Sequence, residues 1–244
     1  VWQSLYEELS PGLSQGSSDD PSDEASHPGF VVLAVALDQP AAARPWIEAA
    51  KATYPCLIDR DHHVADLYNL VNVPQAVWID ERGRIVRPPE TAGSTDGFRA
   101  MDRQTFTMPE AALAERTRVK AAYLDAVRDW VRRGPASAHV LDEARAVAKL
   151  SLPQDTIAEA HARFRLGQHL LRRGEAGDAE EARAWMAEAT RLHPDSWAMW
   201  RQAAAKDARG LATGPEFWAR VDALGSRPYY APVEVAAGPE SPPR

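Results

Sequence analysis

The fold turns on the stretch YPCLIDRDHHVADLYNLVNVPQAVWIDERGRIVRP, Tyr54 to Pro88. Its hydrophobic period changes along its length. PCLID is a short apolar run of strand length, and HHVADLYNL has the spacing of about two helical turns. QAVWID and RIVRP read as two strands joined across Glu81, Arg82 and Gly83, a hairpin. Pro74 stands at the entry of the first hairpin strand, where it can donate nothing to a ladder. Position alone leaves two readings open: a trans-proline opening an edge strand, or a cis bond shaping the turn before it.

Upstream, FVVLAVAL (Phe30 to Leu37) is continuously apolar and reads as a buried central strand. DQPAAARPWIEAAKATY follows as a helix with proline near its start. Trp2 to Leu9 has apolar residues at helical spacing and is stopped by Pro11-Gly12. Between these lies SQGSSDDPSDEASHPG, which has no apolar anchor to offset its ordering entropy and reads as a flexible loop. Downstream, Pro88 to Pro109 reads as irregular, and Glu110 to Arg133 as a long amphipathic helix ended by Gly134-Pro135. Beyond that boundary the patterning is helical only: 139–150, 155–173, 178–193, 195–209 and 215–224. The expected class is therefore α/β then α. The expected divisions are 1–134 (flexible loop 10–29, insert 88–109), a helical 135–225, and a Pro-rich tail 226–244.

Composition sets the outer limits. At 244 residues there is length for one large or two small domains, and 45% hydrophobic with 26% charged residues is an ordinary globular balance. The formal charge is −7 and no Lys/Arg block is long enough to track a phosphate backbone, so nucleic-acid binding is not expected. No apolar run approaches the ~20 residues of a membrane span. One cysteine, Cys56, excludes an internal disulfide and a thiolate zinc cluster. That single thiol leans toward the cytoplasm. The chain opens at Val1 inside a helical pattern and without a signal peptide, which reads as an internal or processed start.

In combination, Tyr54-Pro55, Asp59, Ala65, Tyr68, Val73-Pro74, Ile79-Asp80, Gly83 and Ile85 resemble the core of the ResA/TlpA-like branch of thioredoxin-fold, redoxin-superfamily proteins. The resemblance covers roughly residues 1–133. It implies a thioredoxin-like domain without its first strand, with Pro74 in the cis form. It also implies that Val73 offers its backbone N–H and C=O to an extended substrate peptide, and that Gly93 lies near the redox centre. Some relatives work outside the plasma membrane, so the resemblance also allows an extracytoplasmic site.

The same resemblance exposes a gap. The family's redox pair sits at the N-terminus of the helix after the first strand, where the helix end lowers a thiol pKa. Here that helix is Trp2 to Leu9, and no such pair is present. The catalytic group is therefore expected upstream of Val1, as cysteine or selenocysteine, or to have been lost. Cys56, between Pro55 and aliphatics, reads as a structural thiol. His62 and His63 read as solvated helix-start residues, because adjacent helical residues point about 100° apart and seldom share one ion. Asp59, Asp61 and Asp80 read as caps and turn formers. No metal and no cofactor is expected. For the insert, Phe98, Met101, Phe106 and Met108 leave two readings open: a cover over the Pro74 face, or packing against the long helix.

In the helical half, Leu166-Gly167, Ala182, Met186, Ala189, Pro194 and Trp200 follow a tetratricopeptide cadence, with a loop a few residues longer than usual around Glu175 to Asp178. One clear repeat would have to lean on the first domain, and its tryptophans read as core or as a protein-partner groove. The reading that follows is a thiol–disulfide or peroxide oxidoreductase acting on protein or peptide thiols. The alternative is a non-catalytic scaffold that joins a thioredoxin fold to repeat helices.

Overall fold

The computed structural model describes residues 1–10, 29–150 and 154–235. Of the loop expected at 10–29, residues 11–28 lie outside the described residues, as does the tail beyond 235. The elements run α1 (Trp2–Leu9), β1 (Ala34–Ala36), α2 (Pro40–Ala50), β2 (Cys56–Ile58), α3 (His63–Leu67), β3 (Gln75–Ile79) and β4 (Ile85–Thr91). After a 3-10 turn at Asp96–Ala100 come α4 (Glu110–Arg133), α5 (Glu143–Lys149), α6 (Asp155–Arg173), α7 (Asp178–Leu192), α8 (Trp197–Ala203) and α9 (Pro215–Asp222).

The four strands form two separate ladders. β1 pairs with β2 in parallel, Val35 opposite Leu57, and β3 pairs with β4 antiparallel. Among the described residues no backbone hydrogen bond joins β1 to β3. In a parallel ladder, alternate residues bond to the same neighbour. Ala34 N donates to Pro55 O and Ala36 O accepts from Asp59 N, so the backbone groups of Val35 face away from β2.

One core nevertheless spans both ladders. Leu5, Tyr6 and Leu9 of α1 bury themselves with Phe30 beside β1, Trp78 of β3, Val86 of β4, and Tyr123, Leu124 and Val127 of α4. Each such side chain contributes about 1.5–3 kcal/mol on burial. The Trp78 indole stacks on Trp130 at 4.9 Å and donates from Nε1 to Tyr123 Oη at 2.9 Å. Burial raises the Tyr123 phenol pKa well above its usual value.

Several expectations need correction. The run 30–37 is not a buried central strand: only Ala34–Ala36 is β, and Val31 and Leu33 are 50% and 62% exposed. Among the described residues its second edge is unpaired, and Val31 and Leu33 stay in view. Residues 88–91 are not irregular. β4 continues through Pro88 and Pro89 to Thr91, made possible by register shifts opposite Ala76 and Trp78. α3 has one turn and a half, not two. α8 stops at Ala203, where Asp207 instead organises a turn by accepting from Arg209 N and Leu211 N.

The helical half is a tight α6–α7 hairpin that rests on the α/β part. Ala160, Ala182 and Ala189 are fully buried, with Phe164 and Met186 between them. Gly167 is where the two helices meet: a Cβ there would sit 2.6 Å from Met186 Cγ and 3.0 Å from Ala182 O. Contacts to the α/β part are polar and numerous. Gln168 donates to Arg60 O at 3.2 Å, Arg172 pairs with Asp61 at 2.6 Å, and Arg165 pairs with Asp66.

Two stability predictions arise here. Gly167→Val should overpack the hairpin and lower stability by about 1–3 kcal/mol, read as a shift of the urea midpoint; an unchanged midpoint would show that the helices are not in contact there. Tyr123→Phe should leave Trp78 Nε1 buried without an acceptor and cost about 1–3 kcal/mol. A neutral result would mean that the indole has found water.

Candidate functional site

The Val73–Pro74 peptide bond is cis. Pro74 O accepts from Ala92 N at 3.3 Å, which sets this turn against the end of β4. Gly93 follows immediately, with φ +68, a backbone region costly for other residues. A Cβ at Gly93 would come within 2.9 Å of Tyr123 Cβ and 3.1 Å of Lys120 Cδ. The glycine is buried and lets α4 approach, so its side faces helix rather than open space.

The start of α1 reaches the same end of the sheet. Lys120 Nζ donates to Ala92 O at 2.7 Å and lies 5.2 Å from the centroid of the Trp2 ring. Trp2 in turn meets Tyr123 edge-on at 6.4 Å. The structure thus brings Val73, Pro74, Gly93 and the first turn of α1 to one end of the β3–β4 ladder. Lys120 is the cation of this place. Burial, followed by Arg116, lowers its pKa.

Asn72 organises the turn. It is buried, and its Oδ1 accepts from Val73 N at 2.9 Å and from Arg201 Nη1 at 2.9 Å. Its Nδ2 donates to Tyr229 O at 3.2 Å, and its own N–H goes to Gln75 Oε1 at 3.1 Å. Val73 O accepts from Tyr230 Oη at 3.1 Å. Both backbone groups of Val73 that the resemblance would offer to a partner are therefore engaged within the chain. α8 adds a clamp: Ala198 N donates to Val71 O and Gln202 Nε2 to Leu37 O, both at 3.0 Å. Residues four apart on a helix share a face, so one turn of α8 ties the end of β1 to the approach of β3.

The insert touches both α4 and the C-terminal segment. Gly97 packs against Ala112 of α4. Phe98 instead joins the C-terminal aromatics, 4.9 Å from Tyr229 and 6.1 Å from Tyr230. Phe106 is exposed and joins neither.

Cys56 lies in β2, in the other ladder from Pro74, with its Sγ 3.5 Å from Tyr54 O. Asp59 accepts from His63 N at 2.7 Å and from Ala65 N at 3.1 Å, holding the first turn of α3. Asp80 closes the hairpin turn by accepting from Arg82 N and Arg84 N. Among the described residues no group of three His, Cys, Asp or Glu side chains is placed to hold a metal ion.

His62 is not a solvated residue, as the helix-start reading had it. The α6 helix covers it, with the Phe164 ring edge-on at 5.1 Å, while neighbouring His63 stays exposed. Two further histidines lie near it. His161 Nδ1 is 3.1 Å from Asp66 Oδ1, and the His161 and His193 rings are 5.9 Å apart. The Nε2 atoms of His62 and His193 are buried without a partner. Burial lowers the pKa of all three histidines, that of His62 to about 4, with Asp59, Asp38, His161 and Lys206 as the charges around it.

Sequence reasoning missed Asn72, Lys120, Arg201 and Tyr230. Only Lys120 left a usable signal: a lone lysine four residues before Leu124 on the buried stripe of α4. The others depend on contacts across 129 or more residues.

The AhpC/TSA family model matches residues 19–87. That span holds β1 to β3 and the cis Val73–Pro74 turn, and it supports the redoxin, thioredoxin-fold superfamily for this part of the chain. It ends before Gly93, Lys120 and the helical half. No curated protein and no solved structure gave a significant match.

A pH prediction rests on His62. Unfolded, this imidazole takes a proton as the pH falls below about 6.5; folded, it stays neutral down to about 4. Its contribution is thus fully present above pH 6.5 and is lost as the pH falls through that window, by up to ~1.4 kcal/mol per unit. His62→Asn suits the left-handed backbone at this position, φ +55, and cannot titrate. The variant should lose less stability than the parent between pH 7 and pH 4.5 in urea titrations. Parallel curves would place the acid sensitivity elsewhere.

Proposed function

We propose that this chain is the docking part of a thioredoxin-superfamily thiol–disulfide or peroxide oxidoreductase, close to its ResA/TlpA-like branch. The observation that carries the reading is the convergence of the cis Val73–Pro74 turn, Gly93 and the first turn of α1 at one end of β3–β4. The AhpC/TSA match supports the superfamily, and with it thiol substrates. Val73, Pro74 and Gly93 would form the wall on which a peptide lies beside its disulfide.

The reactive group would come from outside residues 1–244, as cysteine or selenocysteine. The single thiol of the chain sits in the other ladder and hydrogen-bonds to the Tyr54 carbonyl just before its strand. With no second thiol at the turn, resolution would fall to an external dithiol. The α6–α7 hairpin, with Gly167, Ala182 and Met186 at its contact, supports a tetratricopeptide-like unit that holds a protein partner. A non-catalytic scaffold is the second reading. Favouring it, the backbone of Val73 is occupied by the chain's own Asn72 and Tyr230.

The two readings part in an insulin-reduction assay with dithiothreitol. Residues 1–244 alone should not accelerate precipitation. A chain extended by the residues encoded just before Val1, with any UGA codon read as selenocysteine, should do so. Acceleration by residues 1–244 that disappears in Cys56→Ser would overturn the placement of the nucleophile. Inactivity of the extended chain would decide for the scaffold.

A further inference from the structure

We propose that residues 225–235 are a displaceable strap, lying in a groove that reads peptide main chain and holding the Val73–Pro74 turn closed. The proposal rests on the docking role given to Val73 above. It is carried by a set of contacts to the strap's backbone.

Three buried side chains of the α/β part donate to three carbonyls spaced along the strap. Asn72 Nδ2 reaches Tyr229 O at 3.2 Å, Thr91 Oγ1 reaches Ala231 O at 3.1 Å, and Arg87 Nη2 reaches Glu234 O at 3.0 Å. The Asp96 carboxylate accepts from Tyr229 N at 2.8 Å and from Tyr230 N at 2.7 Å. A buried donor or acceptor left unmet is costly, so the groove calls for a peptide main chain wherever water cannot serve. Arg87 is held in place by a two-point bond to Glu90, at 2.6 and 2.7 Å, and by His139 O at 2.7 Å. The groove is thus built into β4 and its neighbours independently of the strap.

The strap is fixed at one end and loosely held at the other. Tyr229 is buried, 4.4 Å from the Trp197 ring and 4.9 Å from Phe98. From Tyr230 on, the residues are exposed or half-buried, and Ala231, Pro232 and Glu234 are exposed. Tyr230 is the member that touches the docking turn, through its hydroxyl on Val73 O. Peeling back the segment after Tyr229 would free that carbonyl while leaving the aromatic anchor in place. The occupant admitted would be an extended peptide whose carbonyls match the strap's spacing and whose apolar side chains replace those of Val233 and Val235 on the core.

The test uses a fluorescent peptide with the sequence of residues 229–235, YYAPVEV. A tethered occupant competes at an effective concentration of about millimolar, so a chain ending at Pro228, in which the sites of Tyr229 and Tyr230 are vacated, should bind the peptide about tenfold or more tighter than the full chain. In the full chain, Tyr230→Phe and Thr91→Val should each speed hydrogen exchange in residues 230–235, with the melting curve checking that the fold persists. Equal peptide affinity in the two chains, or unchanged exchange in both variants, overturns the strap. Reduced insulin B chain serves as an unrelated peptide. If the shortened chain binds YYAPVEV but not the B chain, the strap stands and the docking role of Val73 falls.

Discussion

Side-chain burial does here what hydrogen bonds do in a continuous sheet. Among the described residues the β1–β2 and β3–β4 ladders share no backbone bond, so their relative position depends on one core beneath α1 and α4. Trp78 is the pivot of that core. Its ring stacks on Trp130, its Nε1 is taken by Tyr123, and the Arg87 guanidinium lies 5.2 Å from its centroid. Burial is not directional, and these polar contacts supply the orientation that apolar packing lacks.

The candidate site inherits this arrangement. The cis turn is held by β4 through Ala92, and β4 is held by α4 through Lys120 and the close approach at Gly93. α8 and the C-terminal segment then close over the turn through Asn72, Arg201 and Tyr230. Through Ala198 and Gln202 of α8 the helical half is tied to the approach of this same loop.

The junction between the halves is made of charged and titratable groups. Asp61, Asp66, His62, His161 and His193 lie between α3 and the α6–α7 hairpin. Placing neutral imidazoles there avoids the cost of burying charge, and it makes the junction depend on those rings staying neutral.

Much of this was legible in the chain because it is local. Helix 110–133 was read at its true ends, since Gly134-Pro135 cannot continue it. The hairpin across Gly83 and the close meeting of α6 and α7 at Gly167 and Ala182 were also legible, because period and small-residue placement are local signals. The residues from Tyr54 to Ile85 carried the resemblance to a thioredoxin-like domain. Other features needed the folded molecule. The apolar run 30–37 looks central by composition, but burial depends on what lies on both sides of a strand, and nothing described pairs with its second edge. His62 looks solvated by sequence and is covered by a helix a hundred residues away. The occupied state of Val73 was out of reach, because Tyr230 stands 157 residues along the chain and only tertiary packing brings its hydroxyl to that carbonyl.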